Sequence, residues 1–465
     1  MLFYDQPITA PEDDRLARRA YSDVLADVIR DSGTQTPLNI GVFGDWGSGK
    51  SSILQCAKHT VDHSADPKPI TIWFSAWLFS SHREGIWRSL ILLVVAALAE
   101  QCGAAEPGDS ATDLKDAYNN IVESLYRSLT LTAHGDYQVN WSGGIPLMAD
   151  FALRAVSGGV FDMTDKKGEK TGMFSRFAQV LTGDDAREAI SLIERETHET
   201  FVGEVRSVEQ FRDAIEKVLR LSGISDGDGG RRLAIFVDDL DRCQPEDAIN
   251  TLEAIKLFLD LPGVVFVFGM DEKLVSRGLL KKYGEAATNE ENYGSYLDKI
   301  IHLQIELPLL SQSQVLTFLE DETLLKEPCV KMVSDLVSTA VPNNPRSLKK
   351  SINTYLIERR LKKSFLDEFR VAFKISEEDS NRYLCKSVLI RLCFPKFFDH
   401  ISNDNWRDLF EVEKHAKGEP LASHLNMFGD DKNLIKMTSL APYFDSIPKE
   451  MLKAFFSGEI DFVNP

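Results

Sequence analysis

The string Gly44-Asp45-Trp46-Gly47-Ser48-Gly49-Lys50-Ser51 restricts what this chain can fold into more than any other stretch. An apolar run, Leu38 to Phe43, precedes it, and the helix-compatible Ser52-Ile53-Leu54 follows. That order predicts a strand, a glycine-rich loop and a helix start in the pattern G-x-x-x-x-G-K-[ST]. Glycines let a backbone turn tightly enough for its N–H groups to converge on a phosphate. The helix N-terminus adds partial positive charge at the same point. The expected phosphate-binding residues are Gly44, Asp45, Trp46, Gly47, Ser48, Gly49, Lys50, Ser51 and Ser52. Lys50 would act on the β- and γ-phosphates of a nucleoside triphosphate, and Ser51 would hold Mg²⁺.

A second segment completes such a site. Leu233-Ala234-Ile235-Phe236-Val237 is an unbroken apolar run that suits a buried parallel strand, and Asp238-Asp239-Leu240-Asp241-Arg242 follows it. Carboxylates at the C-terminal end of a parallel strand sit where open α/β sheets bind ligands. Asp238 would hold Mg²⁺ through water. Asp239 is placed to orient or deprotonate an attacking water. Three aspartates within four residues repel one another unless a metal or a cation compensates, and Arg242 is a candidate to organise them.

These two motifs and several flanking ones resemble the KAP family of P-loop NTPases. The lead-in Asp5-Gln6-Pro7-Ile8 with Asp14, Leu16, Arg18 and Tyr21 is similar to the family's first segment and helix. So are Trp73-Phe74-Ser75-Ala76-Trp77, Asp238 to Cys243, Tyr296-Leu297-Asp298-Lys299-Ile300-Ile301, and Asn344-Pro345-Arg346-Ser347-Leu348-Lys349-Lys350. The resemblance covers residues 1–100 and 205–355. It implies an α/β fold: a P-loop NTPase core with a parallel sheet, a helical lid and a mostly helical C-terminal region. It also implies that Arg346 is the second sensor arginine of the lid, joining Lys50 and Asp239 among the catalytic residues. Bacterial relatives include proteins that exclude phage, and others occur beside nucleic-acid-processing partners, so an antiviral defence role is the expectation that the resemblance carries. Many relatives have transmembrane helices where this chain has residues 100–230.

Composition narrows the rest. The net charge of −18 disfavours non-specific nucleic-acid binding by the whole surface. Six cysteines without CxxC spacing fit a reducing compartment and argue against structural zinc. Early acidic residues leave no signal peptide, so a cytoplasmic location is expected. The longest apolar run, Leu90 to Ala99, is half of the roughly twenty residues a membrane-spanning helix needs. Asp150 and Arg154 interrupt the next candidate, Ile145 to Val160. Integral membrane insertion is therefore not expected.

The predicted organisation is a core at 1–100 and 205–309, an insertion at 101–204, a helical lid at 310–364 and a C-terminal accessory region at 365–465. Leu16, Ala20, Val24 and Val28 are expected on the buried face of a first helix. Pro245 should open a helix with Ile249, Leu252, Ile255 and Leu259 inward. The insertion's Asp165 to Lys170 reads as a mobile loop, and its His134 and Asp136 as surface residues. Asp271, after Val264 to Phe268, is either a sensor at the sheet edge or a helix N-cap. The aromatics of Phe394–Phe398 and Trp406–Phe410 suit either a core or an interface. The basic segment Arg346–Lys363 is either a lid helix face or a contact surface for nucleic acid. No NKxD guanine-reading motif is present, so ATP is favoured over GTP. The reading is an ATP-hydrolysing switch that associates with protein partners or itself. Such association would complete the site with a cation in trans, since Arg277, Lys299 and Arg346 are the few candidates in cis. A nucleic-acid machine and a nucleotide-gated scaffold are the alternatives.

Overall fold

The computed structural model describes residues 2–80, 86–103, 204–226, 230–283, 296–321, 327–341, 344–403 and 405–456. Most of the insertion, including Ile145–Val160, Asp165–Lys170, His134 and Asp136, lies outside the described residues.

Three apolar runs form the centre of a parallel sheet. β1 (Leu38–Phe43), β3 (Leu233–Asp238) and β4 (Val264–Met270) are buried at every residue, as strands covered on both faces must be. β2 (Ile70–Ser75) and β5 (Leu303–Glu306) flank them, in the order β2-β3-β4-β1-β5. All pairings are parallel. β4 therefore separates the strand of the glycine-rich loop from the strand of the aspartates.

Alternation along the strands divides the core. Ala234, Phe236, Val265 and Val267 pack toward α1 (Arg19–Arg30) and α2 (Lys50–Asp62). Leu233, Ile235, Val237, Phe266 and Phe268 pack toward α3 (Ile86–Gly103), α4 (Glu204–Leu221), α5 (Pro245–Phe258) and α6 (Glu272–Tyr283). Pro245 opens α5 as predicted, and Ile249, Leu252, Ile255 and Leu259 are buried. The run Leu90–Ala99 lies in α3, and its residues through Leu98 pack into the core. Among the described residues no helix is long and apolar enough to cross a membrane.

The first helix corrects an expectation. Its buried residues are Ser22, Leu25, Ala26 and Ile29, whereas Val24 is 53 % exposed and Leu16 precedes the helix. Two stripes with helical spacing compete here. The one with Leu25 and Ile29 wins because it meets the floor that α2 and the sheet provide.

The lid contains α7 (Gln312–Glu320), α8 (Ser334–Ala340) and α9 (Pro345–Leu361). Beyond it come α10 (Lys363–Phe373), α11 (Glu377–Cys393), α12 (Pro395–Ser402), α13 (Trp406–Ala416), α14 (Lys432–Thr438) and α15 (Lys449–Phe456). One hydrophobic core runs through all of them, from Leu310 to Phe456. The aromatics Phe394, Phe397 and Trp406 belong to that core.

The charges of the basic segment are largely used inside the molecule. Arg346 pairs with Asp5, Arg359 with Glu377 and Arg360 with Glu327. Lys349 Nζ donates to Tyr4 O at 3.2 Å. Lys362 is 4 % exposed, and its ammonium donates to Ala454 O (2.8 Å) and Phe455 O (3.0 Å). Of the seven cations, Lys350 and Lys363 are left exposed without a side-chain hydrogen bond or ion pair among the described residues. Neighbours in sequence, these charges point to different partners in space. The segment is a packed helix, and most of its charges are directed to separate partners within the molecule.

Candidate functional site

The chain turns sharply as β1 ends. Gly47 and Gly49 take left-handed conformations, with φ of +83° and +101°, which a residue with a Cβ reaches only with strain. At Gly47 a Cβ would also lie 2.8 Å from both Arg346 Cβ and Asn344 Oδ1. α2 begins at Lys50. The Lys50 ammonium, 6 % exposed, folds back to donate to Gly44 O (2.8 Å) and Asp45 O (3.2 Å), and Asp241 Oδ2 lies 3.6 Å away. The Ser48 hydroxyl is buried with no partner among the described residues. From beneath, the buried Arg18 guanidinium donates to Ser48 O and Pro308 O, tying the loop to the segment after β5. Burial lowers its pKa from the ordinary arginine value.

The acidic strand ends one strand beyond β4. Asp238 is 6 % exposed, and its carboxyl is pushed up to about 6, first by burial and then by the charge of Asp239. Hydrogen bonds from the Ser51 hydroxyl and the Asp239 backbone oppose the rise. Gly269 leaves room for it, since a Cβ there would approach Asp238 Oδ1 to 3.0 Å. Asp239 leaves the strand in a left-handed conformation, φ 59° and ψ 20°. Its Oδ1 pairs with Arg242 Nε at 2.8 Å. Its Oδ2 accepts from the Ser75 hydroxyl at 2.8 Å. The Arg242 guanidinium lies over the Trp77 ring, 5.5 Å from its centroid.

The fold thus brings Lys50, Ser51, Asp238, Asp239 and Asp241 to one edge of the sheet. The residues fit the groups that the sequence implies. A buried carboxylate and a hydroxyl, both oxygen donors, suit a hard divalent cation, and Asp239 and Asp241 add negative charge beside Asp238. The orphaned Ser48 hydroxyl and the two left-handed glycines suit a phosphate cradle.

Other predicted residues face elsewhere. Asp45 points outward to Lys273, whose ammonium lies 2.7 Å from Oδ1 and holds the carboxyl below its ordinary value. Ser52 Oγ accepts from the Ile8 backbone at 3.3 Å, so it anchors the lead-in segment. Trp46 is 61 % exposed and carries the Arg346 guanidinium over its ring at 4.6 Å. Arg346 Nε is bound to Asp5 Oδ2 at 2.8 Å. Asn344 caps α9 through Oδ1 and donates from Nδ2 to Trp46 O at 2.9 Å. Asp271 accepts from Lys273 N at 2.9 Å, a capping contact at the start of α6. Arg277 and Lys299 make no hydrogen bond or ion pair with the site among the described residues. A cleft of about 530 Å³ opens beside the loop, lined by Asp45, Gln312, Asn344, Ser347, Asn433 and Lys436 among others. The roles of Arg18, Ser75, Asp5 and Asn344 were not readable from sequence, since each acts on a residue far away along the chain.

Comparison with known proteins adds a short match and a long one. An uncharacterized protein of Methanocaldococcus jannaschii is 53 % identical over 36 residues, which is 8 % of this chain and 19 % of that protein. The chain thus matches about a fifth of that relative's length. The KAP family P-loop domain matches residues 18–362. That span opens at the arginine beneath the loop and contains every residue gathered at the sheet edge, and to this family the chain belongs.

Proposed function

We propose that this chain is a Mg²⁺-dependent ATPase whose nucleotide state sets the position of its lid. Membership of the KAP P-loop family supports nucleotide binding and a nucleotide-hydrolysing activity. The choice of ATP rests on the absence of a guanine-reading motif. Ser51 and Asp238 would hold Mg²⁺, which when bound would supply charge neutralisation at the phosphates. Lys50 supplies positive charge to the transferred phosphoryl group, and the loop amides cradle it. Asp239 orients the attacking water and takes its proton. Arg346 and Asn344 join the lid to the loop, which supports a sensing role for Arg346. An antiviral role in a bacterial defence assembly is proposed on the family resemblance alone.

The observation that carries the reading is the convergence of Lys50, Ser51, Asp238 and Asp239 on one sheet edge. Phosphate release by purified Lys50→Ala tests it. Loss of one preorganised donor at the transferred group should slow turnover by about 10²–10³-fold. Thermal unfolding should remain cooperative. In the same assay, Asp238→Asn should lose the Mg²⁺ dependence of nucleotide binding. Wild-type turnover by a folded Lys50→Ala protein would overturn the assignment.

A further inference from the structure

Asp239 is held at more points than a residue in a surface turn needs. Its backbone is in the left-handed region, a conformation that costs an ordinary residue free energy and persists only when its surroundings impose it. Its carbonyl accepts from Arg242 N at 3.1 Å. Each carboxylate oxygen has a separate partner, Ser75 for Oδ2 and Arg242 for Oδ1. Ser75 comes from another strand. The register pairs Ser75 with Asp238 across β2 and β3, so the serine lies beside the point where the chain leaves the sheet. Arg242 is itself fixed from outside, by the half-exposed ring of Trp77. Ser75 and Trp77 stand two residues apart at the end of β2, and both act on the same carboxylate, one directly and one through Arg242.

We propose that Ser75 is a positioning residue for the Asp239 carboxylate, with Arg242 on Trp77 as the second arm of the same cradle. The inference rests on the reading of Asp239 as the residue that handles the attacking water. A carboxylate bound at one oxygen can still rotate about its Cβ–Cγ bond. Bound at both, its remaining lone pairs keep one direction, which is what proton transfer in a transition state requires. Among the described residues the Ser75 hydroxyl makes no hydrogen bond to the phosphate loop or to Asp238, its bond going to Asp239. Its removal should therefore act on turnover and spare nucleotide binding.

The experiment compares Ser75→Ala, Ser75→Thr and Asp239→Asn with wild type, measuring kcat, KM and the Kd of a non-hydrolysable ATP analogue. Ser75→Ala should lower kcat by up to about 10²-fold, the cost of a small misplacement of a reacting group, with Kd unchanged. Ser75→Thr, which keeps the hydroxyl, should recover most of that loss, and tight analogue binding by each variant shows that it is folded. Wild-type kcat in Ser75→Ala beside an inactive Asp239→Asn would overturn the positioning role and leave the base assignment intact. Full turnover by Asp239→Asn would instead remove the base assignment and the inference with it. A fall in analogue affinity without a fall in kcat, or a threonine variant as slow as the alanine one, would also overturn it.

Discussion

Lys386 and Glu413 sit in the core beyond the lid with no solvent exposure at all, Nζ to Oε1 3.6 Å apart. Every charge there has neutral partners too. Lys386 Nζ donates to Pro442 O (2.8 Å) and Thr438 O (3.2 Å). The Glu413 oxygens accept from Phe444 N (3.0 and 3.1 Å) and Asp445 N (3.3 Å). Burial raises the Glu413 carboxyl to about 7 and lowers the Lys386 ammonium to about 8, with each partner opposing the shift of the other. Lys386→Met should therefore cost about 3–5 kcal/mol at pH 8, because it leaves a buried carboxylate without its cation. The pH dependence follows in sign. A carboxyl whose pKa is raised in the fold keeps a proton that the unfolded chain releases, so its contribution to stability falls as pH rises from 4.5 toward the folded value. The slope is at most about 1.4 kcal/mol per pH unit. Without Lys386 the folded value rises further, so the variant should lose stability over a wider range and regain most of it near pH 5. The double variant Lys386→Met/Glu413→Gln should be close to wild type, since it buries no net charge. Urea unfolding of the wild type and the two variants from pH 5 to 8 measures this. A Lys386→Met defect of equal size at pH 5 and pH 8, or a double variant no better than the single one, would refute the reasoning.

Two further outcomes test the nucleotide end. Gly47→Ala combines a positive φ with a Cβ 2.8 Å from Arg346 and Asn344, so it should destabilise the lid contact by about 1–3 kcal/mol. Nucleotide affinity should fall with it, and an unchanged affinity by titration would refute the contact. If a neighbouring chain or partner supplies a cation in trans, turnover per chain should rise with protein concentration, and a full rate in a strict monomer would count against it.

What was legible in the sequence depended on how local the signal was. β1, β3 and β4 were readable because burial on both faces makes them unbroken apolar runs. β5 was not: Leu303-Gln304-Ile305-Glu306 is four residues at a sheet edge, largely exposed, with no apolar run to mark it. That the loop lysine and the aspartates come together was readable because each follows an apolar strand run and the two strands lie in one sheet. Arg242 was readable as a partner of the aspartates because it is three residues from Asp239, whereas the Ser75 contact was hidden because Ser75 lies 164 residues away. Charge ran the other way. Arg346–Lys363 looks like a basic face in one dimension, yet helical periodicity turns Lys362 into the core and the arginines toward separate carboxylates.

The family match stops at residue 362, but the packing does not. The Lys362 ammonium is buried on the carbonyls of Ala454 and Phe455, and the core that holds Leu348 and Ile352 of α9 continues to Phe456. At its other end α9 touches the phosphate loop through Asn344 and Arg346. Close-packed interiors transmit displacement because they deform little. A shift of α9 against the loop would therefore be felt by the described residues that share its core, as far as Phe456. Asn433 and Lys436, far beyond the family match, line the same cleft as Asp45 and Asn344. Under the proposed switch, this shared core is what would couple the phosphate loop to the helices beyond the family match.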